Sequence, residues 1–384
     1  MQRPVTFLHY FFEGAICGNH GRRGESRMET YLDGSEVNVG DETTENYLTT
    51  TSMSLTPEWL LWAAESRLHG SSDEQIHTIL VEAGYDDTVV AQAFDTLRND
   101  PYCLVADRTV QRWKKLKSLL DIRRSLANLS YGSGCVERRS GVSQGEFLER
   151  YYAANRPVIL TGLLAQSSAF MYWTPEHFAQ TCGDAMVQVM FGRQSDPSYE
   201  INSDSHKIEL RMSEYVNMVV YGGTTNDYYL VANNGFFERP ETQTLFNEIP
   251  QLPEYCDHFN AQRKVFLWFG PGGTVTPLHH DVMNIIVAQI VGRKRFILIP
   301  PEQTPYVYNE LGVYSQVDCG NPDYSRHPLY QQATPIDVVL EPGESLFIPV
   351  GWWHYVESLE TSIMLSYINF KFPNDYEWSN PEIR

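Results

Sequence analysis

Between residues 157 and 370 the sequence is a succession of short apolar runs: PVIL, AMVQVMFG, KIELRMS, DYYLVAN, VFLWFG, NIIVAQIV, KRFILIP, DVVLE, ESLFIPV and TSIMLSYINF. Gly, Pro, Asn and Asp separate them, and their β-branched and aromatic content suits a pleated, half-buried surface. So many short strands with Gly and Pro turns argue for a closed or double-sheet β architecture. Helices are expected on its outside, one starting over Gly145 to Arg150 and one over Pro175 to Thr181.

The chain ahead of this region has a different texture. Residues 1–52 open on VTFLHYFFEGAICG, which is shorter than the roughly 20 apolar residues that span a bilayer and resembles a signal peptide only loosely. A polar, acidic, Gly/Ser/Thr-rich segment follows, so a disordered extension is expected there. Internal Met28 and Met53 leave the start of translation open. Residues 53–130 read as helical. Thr56-Pro57-Glu58 is a helix start, and further helices fit Ser72 to Ala83, stopped by Gly84, and Asp87 to Arg98. The three resemble a ubiquitin-associated type of bundle faintly, and a packed helical cap without a ligand of its own is the favoured reading. Arg108 to Leu129 is a basic helix with an apolar stripe of Trp113, Leu116, Leu119, Leu120 and Ile122. It reads as a linker helix with a solvated face, ahead of an RNA or acidic-partner grip. Residues 140–384 form the main domain.

A formal charge of −19 argues against nonspecific nucleic-acid binding, which rewards clustered Lys and Arg. RNA is therefore not favoured as a partner. The six cysteines form no CxxC pair and suggest neither a zinc ribbon nor a disulfide framework. A soluble, cytoplasmic protein with no membrane partner is expected.

The chemistry concentrates in TPLHHDVMNIIVAQIVGRKRFILIP, from Thr276 to Pro300. Residues two apart on a strand share a face, so His279 and Asp281 present an imidazole and a carboxylate to one point, while His280 faces the other way. A carboxylate leading into the apolar run at Asn284 is costly unless a cation or metal holds it. His354, in PVGWWHYVESL, is the candidate for the third ligand. Two histidines and one carboxylate with open positions make an iron site. Strand parity groups Lys294 with Phe296 and Leu298, opposite Arg293 and Arg295. A lysine on an apolar inner face needs an anionic partner, which a dicarboxylate cosubstrate supplies. Thr276 and Tyr229 can add hydroxyl donors, although periodicity does not place them there.

These residues form a wider pattern: Thr276-Pro-Leu-His279-His-Asp281, Gln289, Gly292, Lys294, Pro300-Pro301, Asn321-Pro-Asp-Tyr324, Pro349, Trp352-Trp353-His354 and Asn369. The pattern resembles the JmjC branch of the Fe(II)- and 2-oxoglutarate-dependent oxygenases, most closely the cupin-like, factor-inhibiting-HIF-type hydroxylases, from about Arg156 to Phe372. The resemblance implies a double-stranded β-helix, or jelly roll, with iron held by His279, Asp281 and His354. It implies that Lys294, Thr276 and Tyr229 bind the distal carboxylate of 2-oxoglutarate, that Asn369 lies near the keto-acid end, and that O2 is consumed. Tyr228 is adjacent to Tyr229 and competes for its role. The family often has Asn four residues after the metal Asp, where this chain has Ile285, with Asn284 one earlier. Dimerisation through C-terminal helices is not expected of a chain ending at Arg384, and the choice between monomer and dimer is left open. Hydroxylation of an amino-acid side chain in a protein or peptide leads the functional readings. Hydroxylation of RNA or a small metabolite, methyl-lysine demethylation, and a non-catalytic cupin-like binding protein stand behind it.

Overall fold

A computed structural model describes residues 54–377 apart from 69–70, 131–133, 233–234 and 310–311. The extension expected over residues 1–52 lies outside the described residues. The chain divides into two compact units, Met1–Lys117 and Ser118–Arg384. The division falls inside a helix rather than in the 130–140 turn that the sequence suggests.

In the first unit, α1 (Pro57–Leu68), α2 (Asp73–Glu82) and α3 (Asp87–Asn99) pack around Ala63, Ile76, Leu80, Val90, Phe94 and Leu97. Ser72 caps α2 through a reciprocal box with Gln75, and Asp86 caps α3. Gly84 ends α2 at φ +96°, a backbone conformation that favours glycine. The basic helix α4 begins earlier than expected, at Pro101, and runs to Ala127 with none of its residues buried. Its apolar stripe is at the surface: Trp113, Leu116, Leu119 and Ile122 are all exposed. Polar contacts hold its C-terminal half instead. Within the second unit, Tyr306 donates to Asp121 at 2.5 Å, and Arg124 donates to the Gln332 carbonyl and lies over the Tyr306 ring.

The second unit is the β domain. Its strands are β1 (Glu137–Ser140), β2 (Val158–Thr161), β3 (Met186–Phe191), β4 (Lys207–Arg211), β5 (Tyr228–Tyr229), β6 (Val265–Gly270), β7 (Val275–His280), β8 (Ile285–Val291), β9 (Lys294–Ile299), β10 (Ile336–Leu340), β11 (Glu344–Ile348), β12 (Trp353–Ser358) and β13 (Ser362–Tyr367). A six-stranded sheet in the order β1-β2-β11-β8-β13-β6 and a four-stranded sheet in the order β10-β9-β12-β7 make the two layers. Ile159, Val287, Leu346 and Met364 of the first meet Phe296, Leu298, Leu340 and Val356 of the second in one apolar cluster. Alternation puts these residues on the inner faces, giving the jelly-roll core that so many short strands require. The helix Pro175–Cys182, capped by Thr174, packs Phe178 into the cluster on the far side of the six-stranded sheet. A small sheet, β4-β3-β5, reaches the six-stranded sheet through the Leu230–Phe269 bridge and so carries Tyr229 to the edge of the sandwich. The outer edge of β7 is covered too, since His280 N donates to the Val313 carbonyl and Ser315 N to that of Leu278.

Candidate metal centre and cosubstrate pocket

The four-stranded sheet assembles the site by register. His354 on β12 pairs directly with His279 on β7, and their ring centroids lie 4.1 Å apart. Asp281 follows β7 by one residue, and ligand atoms of His279, Asp281 and His354 all lie within 4.8 Å of one another. His354 Nε2 is 3.6 Å from Asp281 Oδ2. One residue along, Trp353 pairs with His280 on the opposite face, and their rings meet edge-on at 4.8 Å. His280 therefore stays off the cluster, as strand parity predicts.

Each clustered histidine has its tautomer set by its own strand. His279 Nδ1 lies 2.8 Å from the Pro277 carbonyl and His354 Nδ1 lies 3.0 Å from that of Trp352. A carbonyl oxygen only accepts, so each Nδ1 carries the proton and each Nε2 keeps its lone pair for a ligand. Burial and the neighbouring His279 hold His354 neutral, with its pKa depressed to about 4. Two imidazoles and a carboxylate on one face are the donor set of an open iron site.

The turn ahead of His354 is clamped to the loop after Asp281. Gly351 N donates to the Asp281 carbonyl at 3.0 Å, and Gly351 sits at φ +79°. Val350 N donates to Asn284 Oδ1, while Asn284 Nδ2 reaches Asn374 and Tyr376. Asn284, whose role the sequence left open, is thus a buried staple between the two ligand segments. Asn155 steadies the His354 side of this clamp alone, donating to the Val350 carbonyl and accepting from the Trp352 indole. Asn155 stands in no pattern that would have marked it beforehand.

Lys294 shares the inner face. Leu298 on β9 pairs with His354, and Lys294 lies four residues back on the same strand, so parity gives all three one side. Lys294 is buried, and its Nζ donates to Tyr229 Oη at 2.5 Å. Tyr228 is turned elsewhere and donates to the Met218 carbonyl, so Tyr229 is the tyrosine at this lysine. Gly270 leaves room for the Tyr229 ring, because a Cβ there would lie 2.6 Å from Tyr229 Cδ2. With no carboxylate in contact, burial and the nearby Arg193 guanidinium pull the Lys294 pKa down to about 7. Arg295 and Arg293, on the outer face, pair with Asp337 and Glu360.

Thr276 is placed by an irregularity. On β12 one residue, Tyr355, separates His354 from Val356, whereas on β7 two residues separate His279 from Thr276, and both end pairs are in register. The extra residue is a bulge that reverses parity, so Thr276 and His279 share the inner face although they are three apart. Asn369 stands apart from these contacts: its Nδ2 donates to the Asp257 carbonyl, and its Oδ1 is buried without a partner. Two side chains escaped the sequence reading. Tyr314 bridges to His279 with ring centroids 5.9 Å apart. Arg193 is wholly buried beside Tyr229. Both lie on segments between strands, where no periodicity signals which way a side chain points.

The sequence model of the cupin-like domain family matches residues 144–375. Among curated proteins, the chain is 35% identical over 247 residues to "Lysine-specific demethylase JMJ30" of Arabidopsis thaliana, covering 60% of this chain and 54% of the relative. It is 32% identical over 235 residues to "Lysine-specific demethylase 8" of Xenopus tropicalis, covering 58% and 49%. It is 46% identical over 214 residues to "HSPB1-associated protein 1" of Rattus norvegicus, covering 49% and 43%. The chain spans about half the length of the curated relatives it matches.

Proposed function

The chain belongs to the cupin-like domain family, in its JmjC branch, and from that premise we propose an Fe(II)- and 2-oxoglutarate-dependent dioxygenase that hydroxylates an amino-acid side chain in a protein or peptide. The observation that carries this is the convergence of two imidazoles and a carboxylate on the face that also buries Lys294. His279, Asp281 and His354 would hold the iron through Nε2, Oδ and Nε2. Lys294, Tyr229 and Thr276 would hold the distal carboxylate of the keto acid. When bound, iron with the keto acid and O2 supplies the oxidising chemistry. The protein orients both imidazoles through their Nδ1 contacts, keeps the buried His354 neutral, and offers a buried lysine beside the metal face.

Demethylation is the second reading, because two of the relatives above are named as lysine-specific demethylases and another match is named as arginine-specific. The two outcomes differ in where oxygen lands. A hydroxyl on an N-methyl carbon gives N–CH2OH, which breaks its C–N bond to leave N–H and formaldehyde, whereas one on a side-chain carbon away from nitrogen is retained. The test is to incubate the purified chain with Fe(II), 2-oxoglutarate and candidate peptides, and to measure succinate and the peptide's mass. Succinate coupled to a retained oxygen atom supports hydroxylation, and succinate coupled to formaldehyde supports demethylation. No peptide-dependent succinate, in a protein that binds metal, leaves the binding-protein reading standing.

A further inference from the structure

Tyr229, which receives Lys294, also has a second cation against it. Arg193 follows β3 and is wholly buried. Its guanidinium carbon lies 4.3 Å from the Tyr199 ring centroid and 5.3 Å from that of Tyr229, while Lys294 Nζ is 5.0 Å from the same Tyr229 centroid. One nitrogen does all the hydrogen bonding: Nη2 donates to Glu200 Oε1 at 2.9 Å and to the Val275 carbonyl at 2.7 Å. Nε and Nη1 have no hydrogen-bond partner among the described residues.

This is a poor arrangement for an arginine whose only task is to neutralise Glu200, which a two-nitrogen fork would do better. Buried donors without partners carry a desolvation cost that an apolar or amide side chain would avoid. What the guanidinium does supply here is a flat face to two tyrosines and a fixed positive charge that burial does not remove. Its contact with the Val275 carbonyl puts that charge one residue from Thr276. Among the described residues Glu200 is the one carboxylate hydrogen-bonded to this pair of cations, so positive charge remains in excess where Lys294 lies.

Resting on the reading that this pocket takes 2-oxoglutarate, we propose that Arg193 is a positioning residue for the distal carboxylate: it holds the Tyr229 ring against Lys294 and adds a second positive charge behind it. The depressed pKa of Lys294, to which Arg193 contributes, is what two cations sharing one ring would produce. The alternative is that Arg193 serves only to discharge Glu200.

Binding to the full chain loaded with Mn(II), followed by calorimetry without turnover, separates the two. The ligands are 2-oxoglutarate and 2-oxopentanoate, which has the same carbon chain without the distal carboxylate. Arg193→Gln should weaken 2-oxoglutarate on the order of tenfold to a hundredfold, with Mn(II) affinity and 2-oxopentanoate binding unchanged. Arg193→Lys should recover part of the loss. Arg193→Gln combined with Glu200→Gln should stay weak. Unchanged 2-oxoglutarate affinity, an equal loss for both acids, or recovery in the double variant each overturns the proposal. If Arg193→Gln does not fold, Arg193→Lys decides, because it loses the flat contact and should weaken 2-oxoglutarate more than 2-oxopentanoate. Failure of the wild-type chain to bind 2-oxoglutarate overturns the oxygenase reading, and this inference with it.

Discussion

At the metal centre, His279, Asp281 and His354 are held chiefly by main chain, whereas beside it the Lys294, Tyr229 and Arg193 side chains, drawn from different sheets and segments, also lean on one another. The first group depends on cross-strand register, two Nδ1–carbonyl contacts and the clamp from Gly351 to Asp281. The second depends on a phenol shared by two buried cations. A site fixed by backbone has its geometry before any ligand arrives. A site made of side chains whose charge depends on their neighbours is completed by what binds there. Metal binding and keto-acid binding should therefore be separable by mutation, and the cation end alone should respond strongly to pH.

The sharpest way to break this comparison is to remove a ligand from the backbone-held end. Asp281→Ala should lower metal affinity on the order of a hundredfold or more and take turnover to background, with the fold intact by circular dichroism. Retained iron, measured by elemental analysis, would show that the two histidines do not need the carboxylate. Lys294→Met should do the converse. Metal affinity stays, and 2-oxoglutarate binding weakens by about 2–5 kcal/mol, as expected when one partner of a buried charge pair is truncated. The ligand-free variant should be no less stable, since a buried ammonium without a carboxylate is exchanged for an apolar side chain of similar length. A loss of metal in Lys294→Met would mean that the two ends are one cooperative unit.

The pH dependence follows from the same difference. The Lys294 pKa is depressed from 10.5 to about 7 in the ligand-free fold, and a bound carboxylate would raise it again. Between those values the unfolded chain carries the proton and the ligand-free fold does not. The stability of the ligand-free protein should therefore fall as pH drops from about 10.5 to about 7. Binding of 2-oxoglutarate in that window takes up a proton, so affinity should fall by up to about tenfold per pH unit above 7. Calorimetry in buffers of different ionisation enthalpy counts the proton directly. No uptake at pH 8 would mean that Lys294 is already charged before the ligand binds.

How much of this was legible in the sequence follows the same line. The sandwich was readable because PVIL, NIIVAQIV, KRFILIP and ESLFIPV are short apolar runs bounded by turn residues, as strands covered on both faces must be, and in the fold they are buried almost without interruption. The triad was readable because His279 and Asp281 are two apart on a strand, and Lys294 because parity with Phe296 and Leu298 put it inside. Arg193, Tyr314 and Asn155 were not readable, and Asn284 was noticed without its role, because all four lie between strands, where direction is set by tertiary contacts. The stripe on α4 marks a related limit: apolar periodicity identifies a helix, yet it does not say whether anything covers the face, and Trp113, Leu116, Leu119 and Ile122 are exposed. Thr276 is the instructive intermediate. Strict alternation separates it from His279, and only the extra residue on β7 reunites them.

His280 gives the finest test of the backbone-held end. Alternation about His279 turns Leu278 and His280 outward together: Leu278 packs with Trp353 and Tyr355, and His280 meets the Trp353 ring edge-on. Burial pushes the His280 pKa down, so it should be a neutral ring whose contribution is packing. His280→Ala should then cost about 0.5–1.5 kcal/mol of stability, the scale of one ring–ring contact, and leave metal and 2-oxoglutarate affinity at wild-type values. A thermal melt read beside a metal titration checks both halves at once. Loss of metal in this variant, with the fold retained, would mean that β7 can slide by one residue and exchange its two histidines, and the backbone-held end would then be no more fixed than the cationic one.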